Sequence, residues 1–584
     1  MGGEVRHMRS GGAEWRRALV RPMRPAPRAW TWIAAALVAA VFCAPLFVGL
    51  GAADLDNDEA IYAFAVDVML RSGDWLTPRS APNESVPFLE KPPLKLWIVA
   101  AAIRMGLLPH DEFGLRFWDA VFSGLAFLYV FAIGRRLGGP LAGFGAVALL
   151  FAHYPLLFAH GLRTNNMEAA VFLCHCAGVH HYLAWRVSER RGARWLHATA
   201  VALAFVLGFM TKFVAALFLP LVLGVAAFLS RPDRARLRRD WTPWAAAGLL
   251  AAGLIAPWFV CQFRQFGADV WRIMFDAHVM TRFTTFLDPA HVRPWHYYAD
   301  QLIRQLRWSG SLGVALVGLV LLAAVAVRHR RGDALVVLTW FVVPVALISV
   351  LSSKLYHYVY PFLPALALGG GLAVAVAARL AWSLPAACWP ARDPVAGPAS
   401  PGAAPAPAGR LLRSVQAGLA LLVVLALLPV GAWRRNFSFL GHEPHPLRSM
   451  RDCLAAVNAR DGRPGASGPG VWAEAESLSH VYHYYLHGLG PWQMRDFPSD
   501  PTVYVHLYAP GSYRPVLLSR ERFEAFIGLA QAGDHVLIER AARKAGLDPA
   551  VLAAAARQTP VAQVRFPAEV LMLPGPFSAC AAPL

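Results

Sequence analysis

Long apolar blocks separated by short polar connections recur through the chain, near 30–50, 114–137, 140–159, 166–185, 195–211, 213–229, 243–263, 310–327, 333–351, 358–381 and 411–432. Each is continuous rather than alternating, and about 20 apolar residues suffice for a helix to cross a bilayer. The pattern predicts a mainly α protein, a polytopic transmembrane helical bundle. Another run, 92–108, is short for a crossing. From about 433 onward the apolar density falls, and strand-like runs such as 502–507 and 535–538 alternate with helical stretches at 520–531 and 549–557. That change predicts a small α/β domain over 433–584.

Composition agrees with the pattern. At 584 residues, 57% hydrophobic and only 16% charged, the chain holds more apolar sequence than a soluble core uses. The net charge of +19 does not indicate nucleic acid, because the arginines lie in short clusters between apolar blocks. Seven scattered cysteines make no disulfide framework.

Those arginines fix the topology. Basic residues tend to stay cytoplasmic, so the segment 1–29, with Arg6, Arg9, Arg16, Arg17, Arg21, Arg24 and Arg28, is expected inside. Arg135 and Arg136, and the clusters 186–194, 231–239 and 328–331, should be inside too. Parity then requires one net crossing between Lys91 and Arg135, which makes 92–108 a short or re-entrant piece. About eleven crossings result, and thirteen would preserve the same faces.

On this count the transmembrane domain covers 30–432 and its first extracytoplasmic loop covers 51–92. The aromatic and cationic segment 264–309 should lie flat at the outer interface, the Pro- and Ala-rich loop 384–409 is a cytoplasmic linker, and 433–584 is extracytoplasmic. Sidedness derived from arginines alone gathers Asp58, Glu59, Glu90, Lys91, Arg163, Glu168, Lys354, Tyr356 and His357 on one face, with Lys212 between two blocks on the same side. Charges at a membrane edge are expensive to desolvate and are usually kept for function.

The order Asp58-Glu59-Ala-Ile-Tyr62, then Gly73-Asp74-Trp75, then Glu90-Lys91-Pro92-Pro93 resembles the first loop of the bacterial lipid A aminoarabinose transferases. More distantly it resembles the dolichyl-phosphate-mannose protein mannosyltransferases. Both are C-type glycosyltransferases (GT-C). The resemblance runs in order over roughly 30–380 and implies a GT-C bundle acting as an inverting glycosyltransferase. The implied donor is a polyprenyl-phosphate-linked sugar such as an undecaprenyl phosphate sugar, and the implied acceptor is a lipid A-like lipid, a glycan or a protein. The expected location is the bacterial inner membrane, with the active site facing the periplasm.

Displacing a polyprenyl phosphate from a sugar builds negative charge on the leaving phosphate and positive charge on the sugar. Cations must meet the first, and a carboxylate must serve the attacking hydroxyl or the cationic centre. Lys91, Arg163 and Lys354 are the expected phosphate partners, and Lys91 alone is matched residue for residue by the resemblance. Asp58 is the expected base, with Glu90 its rival and Glu59 beside it, while Tyr62, Glu168, Tyr356 and His357 are expected to contact substrate. No cofactor is required, although Asp58, Glu90 and His357 are chemically suited to a divalent metal.

Bland uses compete with each assignment. Asp58 and Glu59 could cap a helix, the tyrosines around His357 could form an aromatic belt, and Cys174-His175-Cys176 is a poor metal set because alternate helix positions diverge. Ile61 replaces an arginine usual in the aminoarabinose transferases, and Asn165 and Glu168 stand where aspartate is common. The donor sugar is therefore left open. The competing class is a transporter or flippase for polyprenyl-linked lipids, which would string ionisable groups through the midplane and show repeat symmetry.

Overall fold

The structure is a computed structural model that describes residues 28–80, 83–284, 291–388 and 407–440, isolated helical residues between 448 and 485, and six strands between 471 and 573. The basic segment 1–27, most of the Pro- and Ala-rich linker and the expected helices at 520–531 and 549–557 lie outside the described residues.

Helix α1 (Arg28–Val38) continues through a π turn and a 3-10 turn that ends at Phe47, where Pro45 removes a helix donor. The first loop then folds into α2 (Asn57–Ser72) and a two-stranded antiparallel hairpin, β1 (Arg79–Ser80) with β2 (Asn83–Pro87). Helix α3 (Leu94–Arg104) follows Pro93 and has 11 residues. At 1.5 Å per residue it is roughly half as long as the hydrocarbon layer is thick, which is the short piece that parity requires.

Helix α4 (Glu112–Gly138) is capped by Asp111, whose carboxylate accepts from the Gly114 amide at 3.0 Å. It is followed by α5 (Pro140–Phe151), α6 (Tyr154–Phe158), α7 (Glu168–Val187), α8 (Arg191–Ala216), α9 (Phe218–Leu229), α10 (Arg231–Arg239) and α11 (Trp241–Phe266). After an irregular helical stretch over 268–284 come α12 (Tyr297–Trp308), α13 (Leu312–Val327), α14 (Gly332–Val350), α15 (Leu363–Cys388), α16 (Pro407–Leu427) and α17 (Val430–Ser438).

Among the described residues six helices are long and apolar enough to cross a membrane, or seven if the bent pair α16 and α17 counts as one span. The other crossings counted from sequence fall on α5, α9 and α13, which are shorter, and on α7, whose three histidines lower its hydropathy. The bundle packs closely where side chains are small. A Cβ on Gly318 of α13 would lie 2.2 Å from the Gly369 backbone of α15, so glycine is required at that crossing.

The basic connections meet at one end of the bundle. Arg331 donates to the Leu137 carbonyl at 3.2 Å, Arg186 pairs with Asp233 at 2.8 Å, and Arg194 pairs with Asp240 at 2.6 Å. At the other end of α4, Arg116 holds the first loop, donating to the carbonyls of Leu50, Ala53 and Asp54. The arginine ends and the acidic loop therefore occupy opposite ends of the bundle, as the charge pattern predicts.

In the tail, β3 (Val471–Glu474), β4 (His506–Tyr508), β5 (Val516–Leu517), β6 (His535–Glu539), β7 (Gln563–Val564) and β8 (Val570–Leu573) form one sheet in the order β5-β4-β3-β6-β8-β7. The pair β3 and β6 is parallel and the other pairs are antiparallel. Strand β6 falls on the expected run at 535–538, and β4 overlaps the end of the run at 502–507, the rest of which lies outside the described residues. The tail also touches the first loop: the Tyr485 hydroxyl donates to Glu112 and accepts from the Leu55 amide, each at 2.8 Å.

Candidate active site

A cavity of about 290 Å³ opens between the first loop, the start of α7, the C-terminal end of α8 and the segment before α15. Asp58, Glu90, Lys91, Glu168, Lys212 and His357 line its polar end, and Phe213, Phe218, Leu347, Ile348 and Phe362 line its apolar side. Five of the ten expected residues, Asp58, Glu90, Lys91, Glu168 and His357, thus share one wall although they are as far apart in sequence as 58 and 357.

Local backbone explains each position. Asp58 stands in the first turn of α2, where a carboxylate suits the helix dipole, and its side chain keeps 33% exposure toward the cavity. Glu90 and Lys91 sit in the non-helical stretch before Pro92 and Pro93, and α3 starts immediately after them. Lys91 donates to the Tyr62 hydroxyl and rests 4.7 Å above the Tyr62 ring, so Tyr62 orients the ammonium from behind. Burial lowers the Lys91 pKa below the ordinary lysine value, and the charges of Glu90 and Asp58 only partly restore it.

Glu168 opens α7 and is 2.5 Å from the Lys212 ammonium, with His357 Nε2 3.7 Å away. Lys212 reaches the cavity because its own backbone leaves the helix, at φ −147° and ψ 79°, inside α8. His160 completes the group with a ring stacked 4.5 Å from His357 and Nε2 3.6 Å from Asp58. Its φ of 51° is a left-handed conformation that costs a non-glycine residue energy, so the turn holds it in place against strain. Burial alone would lower the His160 pKa, but the Glu168 carboxylate and then Asp58 raise it above the usual histidine value.

Three expected residues are used elsewhere. Glu59 is 1% exposed, and both of its oxygens are taken by Arg116 at 2.7 Å, by the Asp56 amide at 2.8 Å and by the Asn165 amide at 2.5 Å. The Asp56 contact is half of a capping box for α2, the bland role open to this carboxylate from sequence. Arg116 outweighs burial and lowers the Glu59 pKa below the ordinary carboxylate value. Arg163 donates to the carbonyls of Leu46 and Val48 at the end of the first span. Lys354 donates to the carbonyls of Arg293 and Leu351. None of the three lines the cavity. Tyr356 stands beside it, with its ring 6.5 Å from His160.

Sequence reasoning assigned no role to His160 or Arg116, and none beyond sidedness to Lys212. A lone cation between two apolar blocks is itself a pointer to function, and Lys212 carried that signal. His160 had none, since its place depends on an unusual backbone angle. Beneath the cavity a second network is fully buried: Lys95 pairs with Asp119 at 2.9 Å and donates to Asn165 at 2.7 Å, and Asn165 in turn donates to the Glu59 carbonyl. Asn165, a departure from the resemblance, therefore supports the loop from below.

The donors suited to a metal differ from the expected set of Asp58, Glu90 and His357. His160, Glu168 and His357 each bring one donor atom within 4.8 Å of the others. The Nδ1 atoms of both histidines are buried without a hydrogen-bond partner among the described residues. Two imidazoles and a carboxylate fit a divalent ion such as zinc.

A family model described as dolichyl-phosphate-mannose-protein mannosyltransferase matches residues 90–260. The undecaprenyl phosphate-alpha-4-amino-4-deoxy-L-arabinose arabinosyl transferase of Pseudomonas aeruginosa is 31% identical over 326 residues, 55% of this chain and 56% of that protein. A transferase of the same description from Sodalis glossinidius is 30% identical over 316 residues, 53% of each chain. The matched stretch thus spans about half the length of these curated relatives. The crystal structure of ArnT from Cupriavidus metallidurans bound to undecaprenyl phosphate superposes with a TM-score of 0.61 at 19% identity, covering 95% of this chain and 99% of that one. At that identity the likeness establishes the fold. The chain resembles the GT-C glycosyltransferases, with the aminoarabinose transferases among its relatives, in both sequence and architecture.

Proposed function

We propose that the chain is a membrane glycosyltransferase that moves a sugar from a polyprenyl phosphate carrier to an acceptor outside the cytoplasm. The observation that carries this is the two-sided cavity. Lys91 and Lys212 stand with Asp58, Glu90 and Glu168 at one end, and aromatic and aliphatic side chains line the other side. A phosphate head on a hydrocarbon chain has that same division.

The chemistry follows from the placement. The acceptor oxygen attacks the anomeric carbon as the bond from that carbon to the phosphate oxygen breaks, with inversion, and the carrier phosphate leaves with the electron pair. Lys91 meets the growing negative charge, with Lys212 across the cavity from it. Asp58 takes the acceptor's proton, with Glu90 the alternative base. An acceptor that is itself a phosphate needs no deprotonation, and the carboxylates then orient the donor. A divalent ion held by His160, Glu168 and His357 would add positive charge near the phosphate, and no step requires it. Clustering of the titratable groups in one cavity favours transfer over transport.

By the charge pattern, this cavity faces the periplasm of a bacterial inner membrane. The domain layout proposed is a cytoplasmic 1–29, a catalytic bundle 30–432 and an extracytoplasmic α/β domain 433–584. Mass spectrometry of envelope lipids, glycans and proteins from a strain lacking the chain tests the assignment. Loss of one sugar substituent from one acceptor class supports it. Unchanged envelope chemistry with altered carrier-lipid sidedness overturns it.

A further inference from the structure

A second cavity lies at the arginine end of the bundle. It is an apolar groove of about 650 Å³ between α7, α8, α9 and α11, with Leu237 of α10 at its mouth. Small residues leave it open. A Cβ added at Gly224 or at Gly248, both on its wall, would meet nothing within 4 Å. Trp244 also lines the groove, and its indole N–H is shielded from solvent without an acceptor among the described residues.

The helix that supplies Leu237 is strongly basic. Helix α10 has the sequence Arg-Pro-Asp-Arg-Ala-Arg-Leu-Arg-Arg over Arg231–Arg239. It is fastened to the bundle by the Arg186 pair with Asp233, by the Arg194 pair with Asp240 and by Arg236, which donates to the Ser188 carbonyl. The side chains of Arg231, Arg238 and Arg239 are exposed and make no hydrogen bond or ion pair with any described residue. Two of these arginines directly follow Leu237.

We infer that this groove is a binding site for one anionic phospholipid of the cytoplasmic leaflet. An acyl chain fills the apolar slot, an ester or phosphate oxygen accepts from the Trp244 N–H, and the headgroup phosphate rests on Arg238 and Arg239. The elements fit a membrane lipid because an apolar slot beside a basic helix matches an acyl chain joined to an acidic headgroup. The same α8 and α9 wall both cavities, so a seated lipid braces the helices that position Lys212 and Phe218.

The test is native mass spectrometry of the full chain from micelles holding equimolar phosphatidylglycerol and phosphatidylcholine. The wild type should retain one phosphatidylglycerol with a preference of roughly tenfold or more, the amount two arginines provide at an anionic surface. Arg238→Gln with Arg239→Gln should bring the preference near parity, and the two lysine replacements should keep it. Gly248→Leu, which has room for its side chain, should reduce retention of both lipids. Equal retention of the two lipids by the wild type would overturn the inference. So would an undiminished preference in the glutamine variant, or displacement of phosphatidylglycerol by added polyprenyl phosphate.

Discussion

Arg116 of α4 holds both carboxylate oxygens of Glu59 at 2.7 Å, and through that grip the membrane bundle sets the shape of the first loop. The same guanidinium donates to three loop carbonyls, so the pair is fully hydrogen-bonded as well as buried. Asp58 is the residue before Glu59, and its aim into the cavity depends on this anchor. Breaking a buried pair by removing one partner costs about 3–5 kcal/mol. Arg116→Met should therefore lower the melting temperature and abolish transfer together, whereas a change confined to the cavity should not alter stability. Thermal unfolding in detergent, read beside a transfer assay, distinguishes the two.

Acid should weaken the same anchor. The folded Glu59 pKa lies below its unfolded value, so its contribution to stability is full above the ordinary carboxylate pKa and is lost as pH falls through the depressed value. Melting temperature against pH should decline on the acid side in the wild type and be flatter in Glu59→Gln, which starts lower.

Asp58→Asn keeps the size of the side chain and removes its basicity. With a hydroxyl acceptor, loss of a general base costs about 100-fold to 10,000-fold in rate. Folding and donor binding should persist, because the carboxylate is partly exposed and the loop is held by Glu59. A transfer rate within twofold of wild type would place the base at Glu90.

Lys91 should set the alkaline limit of activity. It must be protonated to hold a phosphate, and its pKa is lowered by burial, so the rate should fall with rising pH before an ordinary lysine would lose its proton. Lys91→Arg should move that limit upward while lowering the maximal rate, because a planar fork does not occupy the place of a point charge over Tyr62. A pH profile of the transfer rate for both proteins checks this.

Chelation should leave transfer within about twofold, since Lys91 meets the leaving phosphate without a metal. A tenfold loss on EDTA treatment that zinc restores, with His357→Ala abolishing zinc binding by calorimetry, would make the metal part of the reaction instead.

Much of this was legible in the sequence because charge and hydropathy act along the chain. Arginine clusters predicted two opposite ends, and Arg331, Arg186 and Arg194 do meet at one of them. The short α3 was legible through parity. Side-chain partners were not, because they depend on contacts distant in sequence. Glu59 and Asp58 are neighbours, yet one faces Arg116, 57 residues away, and the other faces the cavity. Arg163 and Lys354 looked like phosphate ligands by charge, but the end of the first span, the segment before α12 and the end of α14 left carbonyls that needed donors. Lys212 enters the site only because its helix breaks there.

The central claim is that the Lys91 and Lys212 cavity holds the phosphate head of a carrier lipid. A photoreactive polyprenyl phosphate, crosslinked to the purified full chain and mapped by peptide mass spectrometry, tests it most directly. The account predicts labels within 209–218 and 345–362 that fall at least about tenfold when Lys91 and Lys212 are both replaced by alanine. Labelling that is unchanged in that variant, or that maps to another surface of the bundle, would contradict it.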